Sequence, residues 1–274
     1  MHGWMENKKV LFISQKIYPY LPEDEMSKIG RLLPQGIQER GKEIRTFMPK
    51  FGSINERRNQ LHEVIRLSGM NLIIDETDHP LIIKVASIQS ARMQVYFIDN
   101  EDYFQRKFIF KDSSEKEFVD NDERAIFFAR GVLETVRKLR WSPDIIHCHG
   151  WFTSLVPLYV KRSYRDDPLF ADSKVVYSIY SEKFEKPLNK SFSRKVLLEG
   201  ITDHDIAIIK ERPDYININK LAINMSDAVI QGSAKIDPEL LRYVKNKKRK
   251  FLGYQQEEAY VDAFSKFYDQ LLGN

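Results

Sequence analysis

The stretch Lys9-Val10-Leu11-Phe12-Ile13-Ser14, with the loop Gln15 to Pro22 and the helical run Met26 to Arg40 behind it, decides the fold. A short, nearly continuous apolar run reads as a buried strand. Gly41 is well placed to end the helix, and Glu43 to Met48 then reads as a second strand. Strand, helix and strand in that order predict a parallel pair joined by a crossover. Where such a unit binds phosphate, a Gly-rich loop lets backbone N–H groups approach the anion at the helix N-terminus. Here the junction reads Pro22-Glu23-Asp24-Glu25, with no glycine and three successive carboxylates. The expectation is a strong fold with no phosphate chemistry at this position.

The alternation continues outward. Glu63 to Asp75, Leu81 to Ile88 and Arg92 to Asp99 are rich in Ile, Val and Leu, and Asp78-His79-Pro80 supplies a turn, which predicts an inserted β-meander. Glu101 to Asp112 is aromatic-rich and irregular. Asp122 to Arg140 has apolar residues at helical spacing, with Asp120 or Asp122 as its cap. Asp144 to His149 and Lys174 to Ile179 read as strands, Trp151 to Tyr164 and Tyr215 to Met225 as helices, and Ala228 to Gln231 as a short strand. Asp237 caps a helix that runs to Lys245, with Pro238 in first position. A final helix over 257–272 carries Tyr260, Val261, Phe264, Phe267, Tyr268 and Leu271. The pattern predicts an α/β fold: a Rossmann-like, doubly wound, mostly parallel sheet in a single domain over 8–274, closed by the C-terminal helix.

Composition excludes several function classes. The 274 residues carry a net charge of only +4, with both signs interspersed, which argues against nucleic acid as a partner. The basic run Lys245 to Lys250 reads as a solvated loop or helix end. The single cysteine, Cys148, rules out an internal disulfide and fits a reducing compartment. No apolar stretch approaches the length of a membrane span, and Met1 to Lys9 has no apolar signal core, so a cytoplasmic protein is expected. No His, Cys, Asp or Glu spacing suggests a metal site, and no motif calls for a cofactor.

Several ordered segments now carry a family signature: Lys9 to Ser14, Tyr18-Pro19, Leu32-Leu33-Pro34, Met48-Pro49-Lys50-Phe51-Gly52 and Val95-Tyr96-Phe97-Ile98-Asp99-Asn100. Asp120 to Arg124, Asp144-Ile145-Ile146-His147-Cys148-His149-Gly150-Trp151 and Met225 to Ser233 continue it. The chain resembles the N-terminal domain of bacterial glycogen and starch synthases, glycosyltransferase family 5. The resemblance implies a single half of a GT-B fold, and a place among ADP-glucose:glucan glucosyltransferases. In that family the N-terminal domain serves the glucan acceptor, and a C-terminal domain holds the nucleotide. The stretch after Ile236 is too short for a second Rossmann unit, so the reading is that this domain was lost and its closing helix kept. The family's Lys-Thr-Gly-Gly loop aligns with Pro22 to Glu25, and its His-Asp-Trp-His motif with His149-Gly150-Trp151-Phe152. Its Thr-Ile-His-Asn segment aligns with Ser178-Ile179-Tyr180-Ser181.

His149 is the best catalytic candidate, because it ends a parallel strand where open α/β sheets place ligands; the competing reading is a histidine inherited with the fold. His147 is assigned to the opposite strand face and a structural role. Trp151, Tyr18 and Tyr180 are the substrate-binding candidates. Trp151 could stack on a sugar ring or simply pack the core. Tyr20, Tyr103 and Phe104 join Tyr18 as a loop platform for glucan. Lys28 reads as a solvated charge, the carboxylates Asp120, Asp122 and Glu123 as capping groups, and Glu182, Glu185, Asp203 and Asp205 as acids without a partner. Three functions compete: a synthase-like protein not competent for transfer alone that binds α-glucan or a protein partner, a transferase completed by a partner chain, and a structural or regulatory module without sugar binding. Ligands implied by the resemblance are α-glucan and ADP-glucose, with a homo-oligomer or partner chain covering the exposed face.

Overall fold

A computed structural model describes residues 7–273, so most of the Met1 to Lys9 segment lies outside the described residues. The strands are β1 Lys9–Ser14, β2 Glu43–Pro49, β3 His62–Glu63, β4 Met70–Ile74, β5 Thr77–Ile88, β6 Met93–Asp99, β7 Ile145–His149, β8 Lys174–Ile179, β9 Ala228–Gln231 and β10 Lys250–Leu252. They form a sheet in the order β10-β9-β8-β7-β1-β2-β6-β5-β3, with β4 paired to β5. From β10 across to β6 every pairing is parallel. The β3, β4 and β5 ladders are antiparallel. The meander is thus an extension of the sheet edge, joined through β6.

The helices are α1 Glu25–Glu39, α2 Glu101–Phe104, α3 Asn121–Leu139, α4 Val156–Lys161, α5 Phe192–Val196, α6 Ala207–Lys210, α7 Tyr215–Met225, α8 Pro238–Asn246 and α9 Tyr260–Leu272. Alternation along each strand splits the core into two layers. Leu11, Ile13, Ile146, Cys148 and Tyr177 face the layer of α3, α4 and α7. Val10, Phe12, Ile145 and Val176 face α1 and α9, where Leu33, Phe264 and Tyr268 meet them. Helices on both faces make the sheet doubly wound. A Cβ on Gly36 would lie 2.4 Å from Val261 Cγ1, so bare backbone on α1 lets α9 lie close.

Four expectations change. Asp78 to Pro80 is strand, and the reversal is made instead by Asp75 and Glu76, both at positive φ (48° and 68°). Residues 151–164 do not form one helix: a 3₁₀ turn at Trp151–Thr153 precedes the short α4. The basic run ends α8 and then enters β10, a three-residue strand too short to show in the sequence. Asp120 stands at the cap position of α3, but its side chain makes no capping bond; it bonds Arg106 at 2.6 Å instead.

Candidate functional site

The site lies beyond the C-terminal ends of β1, β7, β8 and β9, the usual ligand position in an open α/β sheet. Gln15 and Lys16 leave β1 there. Gln15 N–H donates to the His149 carbonyl (3.2 Å), its Nε2 donates to Glu182 Oε1 (2.7 Å), and its Oε1 accepts from Phe152 N–H (3.1 Å). Lys16 Nζ reaches Asp24 Oδ2 at 2.9 Å and also bonds Glu182. Burial works against the Lys16 ammonium, yet Glu182 and Asp24 hold its pKa above the ordinary lysine value. Glu182, which the sequence left without a partner, is therefore the hub of this network. Asp205 likewise pairs with Arg162 at 2.6 Å.

Asp24 also caps α1. Its Oδ1 accepts from Ser27 N–H at 2.8 Å, and Ser27 Oγ accepts from Asp24 N–H at 2.8 Å. Burial opposes the Asp24 carboxylate, but Ser27 and Lys16 outweigh it and hold its pKa below normal. One first-turn donor of α1, the Ser27 N–H, is thus taken by the chain's own acid. Lys28 is not simply solvated: it stands 2.8 Å from Glu257 and 3.8 Å from Glu23. Glu25 accepts from Ser233 Oγ, which in turn accepts from Ser181 N–H at 3.0 Å. The Asp24→Ala variant is expected to lose about 1 kcal/mol of stability through the cap; an unchanged thermal midpoint would show the cap to be idle.

The expected site residues are only partly brought together. His149 is buried, and its Nδ1 is hydrogen-bonded to Tyr180 Oη at 2.7 Å. His147 does not occupy the opposite face: residues two apart share a strand face, and the two imidazole centroids lie 3.8 Å apart. His147 Nδ1 is bonded to Tyr268 Oη of α9 and its Nε2 to Ser178 Oγ at 2.7 Å. The intervening Cys148 points the other way, where burial raises its thiol pKa. Trp151 is buried against Phe110 (4.9 Å) and Phe184 (4.7 Å). Tyr18 is half-buried, with the Arg31 guanidinium 5.5 Å from its ring centroid. Tyr20, Tyr103 and Phe104 are no loop platform, because all three are buried in the core. Asp122 and Glu123 pair with Lys195 at 3.0 and 2.6 Å.

Burial holds the His149 pKa down at about 3, and burial together with His149 holds His147 well below normal. In the unfolded chain each titrates at about 6.5. Below that pH the unfolded state binds protons that the folded state refuses, so this stability is intact above about 6.5 and is lost as pH falls. Urea denaturation is expected to show about 2 kcal/mol lost between pH 7 and pH 5.5. A flat profile would contradict a neutral buried pair.

Three cavities open on this end of the sheet. The largest, about 520 Å³, is lined by Phe108, Phe110, Trp151, Glu182 and Phe184 among others. A smaller one of about 120 Å³ lies between Asp24, Glu25, Tyr180, Ser181, Glu182 and Ser233. The third, about 370 Å³, is bounded by Glu23, Asp24, Glu25, Tyr254, Glu257 and Tyr260. Among the described residues no group of three His, Cys, Asp or Glu side chains is placed to hold a metal ion, and no helix is long and apolar enough to cross a membrane.

The sequence matches the starch synthase catalytic domain over residues 9–252. Glycogen synthase of Chlorobium phaeovibrioides is 41% identical over 235 residues, covering 85% of this chain and 47% of that protein. Glycogen synthase of Chlorobium luteolum is 39% identical over 197 residues, covering 72% and 40%. The chain thus spans somewhat under half the length of these relatives. The fold is similar to that of the catalytic domain of starch synthase IV from Arabidopsis thaliana bound to ADP and acarbose, with a TM-score of 0.71, 17% identity, and coverage of 92% of this chain and 52% of that one. With a family match over most of its length and bacterial glycogen synthases as relatives, the chain belongs to the starch synthase catalytic domain family.

Proposed function

We propose that this chain binds α-glucan and does not, by itself, transfer glucose from ADP-glucose. The observation that carries this reading is the N-terminus of α1, capped by an acid and flanked by two more. Glucosyl transfer from a nucleotide sugar needs the departing diphosphate to be neutralised. At the junction aligned with the family's Lys-Thr-Gly-Gly loop, the Asp24 carboxylate takes the Ser27 N–H and Glu23 and Glu25 flank it. Lys16 and Lys28, the nearby ammonium groups, are each held by two carboxylates. A diphosphate arriving at this junction meets like charge, and both ammonium groups that could offset it are already engaged. His149, neutral and bonded to Tyr180, offers no charge either.

Glucan binding is supported by the aromatic cavity, since aromatic rings suit the apolar faces of sugar rings, and by the acarbose held in the Arabidopsis relative of the same fold. The same reading places the protein in the cytoplasm, in keeping with its buried free Cys148. Calorimetric titration tests the proposal: maltoheptaose is expected to bind saturably, and ADP and ADP-glucose are not. Saturable ADP-glucose binding, or glucan elongation by the purified chain beside a true synthase as control, would overturn it.

A further inference from the structure

The three cavities share walls. Glu182 lines both the 520 Å³ and the 120 Å³ cavities, and Asp24 and Glu25 line both the 120 Å³ and the 370 Å³ ones. The outer two fall within the range of about 300–1,000 Å³ typical of ligand pockets, and the middle one is too small to be more than a link. Together they make one trough along the C-terminal edge of the sheet, from Phe108 and Trp151 at one end to Tyr254 and Tyr260 at the other.

We infer that this trough takes an extended neutral saccharide, and that the cavity beside the α1 N-terminus serves as an additional glucan subsite centred on Tyr254. The inference rests on the α-glucan reading above and deepens it. Aromatic rings at both ends offer stacking faces for pyranose rings. Between them lie acceptors suited to sugar hydroxyls: Glu182 and Glu25, whose carboxylates retain lone pairs beyond their internal bonds, with the Ser181 and Ser233 hydroxyls. Charge selects the class of ligand. Among the described residues eight lining acids, Glu23, Asp24, Glu25, Asp112, Glu115, Glu117, Glu182 and Glu257, outnumber four lining lysines, Lys28, Lys107, Lys111 and Lys183, so the trough disfavours phosphorylated and acidic sugars and admits neutral ones. Tyr254 stands out because it is half-buried in the segment between β10 and α9, yet among the described residues no ring stacks on it and no group bonds its hydroxyl. Its face and hydroxyl are left for a ligand.

Titration of the wild type, Phe108→Ala and Tyr254→Ala with maltotriose and maltoheptaose tests this. Maltoheptaose is expected to bind more tightly than maltotriose, beyond the statistical advantage of a longer chain. Tyr254→Ala should cost about five- to tenfold in maltoheptaose affinity, the loss of one stacked ring, and leave maltotriose unchanged. Phe108→Ala should weaken both. Thermal melting checks that each variant folds; Tyr254 and Phe108 lie outside the core, so both should. If maltoheptaose binds and Tyr254→Ala changes nothing, the added subsite is overturned while the glucan reading stands. If neither sugar binds the wild type, the glucan reading falls, and the inference with it. Competition by oligolysine but not by maltoheptaose would show an acidic trough built for a basic peptide, and would also overturn it.

Discussion

Replacing Lys195 with methionine is expected to destabilise the protein by about 3–5 kcal/mol, the usual cost of removing one partner from a buried ion pair. Lys195 is almost fully buried on α5, and its Nζ lies 3.0 Å from Asp122 Oδ2 and 2.6 Å from Glu123 Oε1 on α3. Asp75, at the meander turn, stands 3.9 Å away. Asp122 is completely buried, and its Oδ1 already has no partner. The cluster extends through Glu123 to Tyr103 (2.9 Å) and from Tyr103 to His79 (2.9 Å), so it ties α3 and α5 to the meander. Burial raises the Asp122 pKa even with Lys195 present. Without the ammonium the shift grows. A carboxyl whose folded pKa exceeds its unfolded value binds more protons in the native state, so stability falls as pH rises from the unfolded value, about 3.9, through the folded one. The deficit of Lys195→Met should therefore be larger at pH 8 than at pH 5 in urea melts, and adding Asp122→Asn should recover part of it. A loss below about 1 kcal/mol and independent of pH would sink this account.

Phe264→Ala is expected to cost a comparable 3–5 kcal/mol, roughly 10 °C or more in melting temperature. Phe264 is 2% exposed on α9, with its ring 5.9 Å from His147 and 6.1 Å from Tyr260. It fills one side of the layer formed with Phe12, Leu33, Phe267 and Tyr268. A nearby surface change supplies the control. Asp262, on the same helix, pairs with Arg40, and both side chains are substantially exposed. Asp262→Ala should cost no more than about 1 kcal/mol. Equal small losses for the two variants would mean that α9 contributes little to the core. A large loss for Phe264→Ala alone would confirm that the helix completes the second layer.

Much of the fold is legible in the chain. The apolar runs at Lys9 to Ser14, Ile145 to His149 and Lys174 to Ile179 are buried on both faces, as parallel strands are, and their limits in the sequence and in the structure agree to within a residue. Asp237 opens α8 with the expected side-chain cap, and Asp214, not singled out in the sequence, does the same for α7. The meander turn is misread from sequence because His79-Pro80 carries the stronger local turn chemistry. In the structure Pro80 sits within β5 opposite Asn71, and a two-residue reversal at Asp75-Glu76 sets the register. The segment after Gly150 breaks into a 3₁₀ turn and a short helix that packs Trp151 and Phe152 into the aromatic core.

The site is less legible. That Pro22 to Glu25 lacks glycine and carries three acids is plain in the sequence, and the period-two rule, applied correctly, puts His147 and His149 on one face. The sequence by itself therefore determined the α/β alternation, the strand ends where a site must lie, and the negative charge at the α1 junction. Only the tertiary structure decided which charges meet. Lys16 finds Glu182 because β1, β7 and β8 are neighbours in the sheet, and Lys195 finds Asp122 because α5 lies on α3. Electrostatic energy depends on distance through space and on burial, and strand order and layering set both, whatever the separation along the chain.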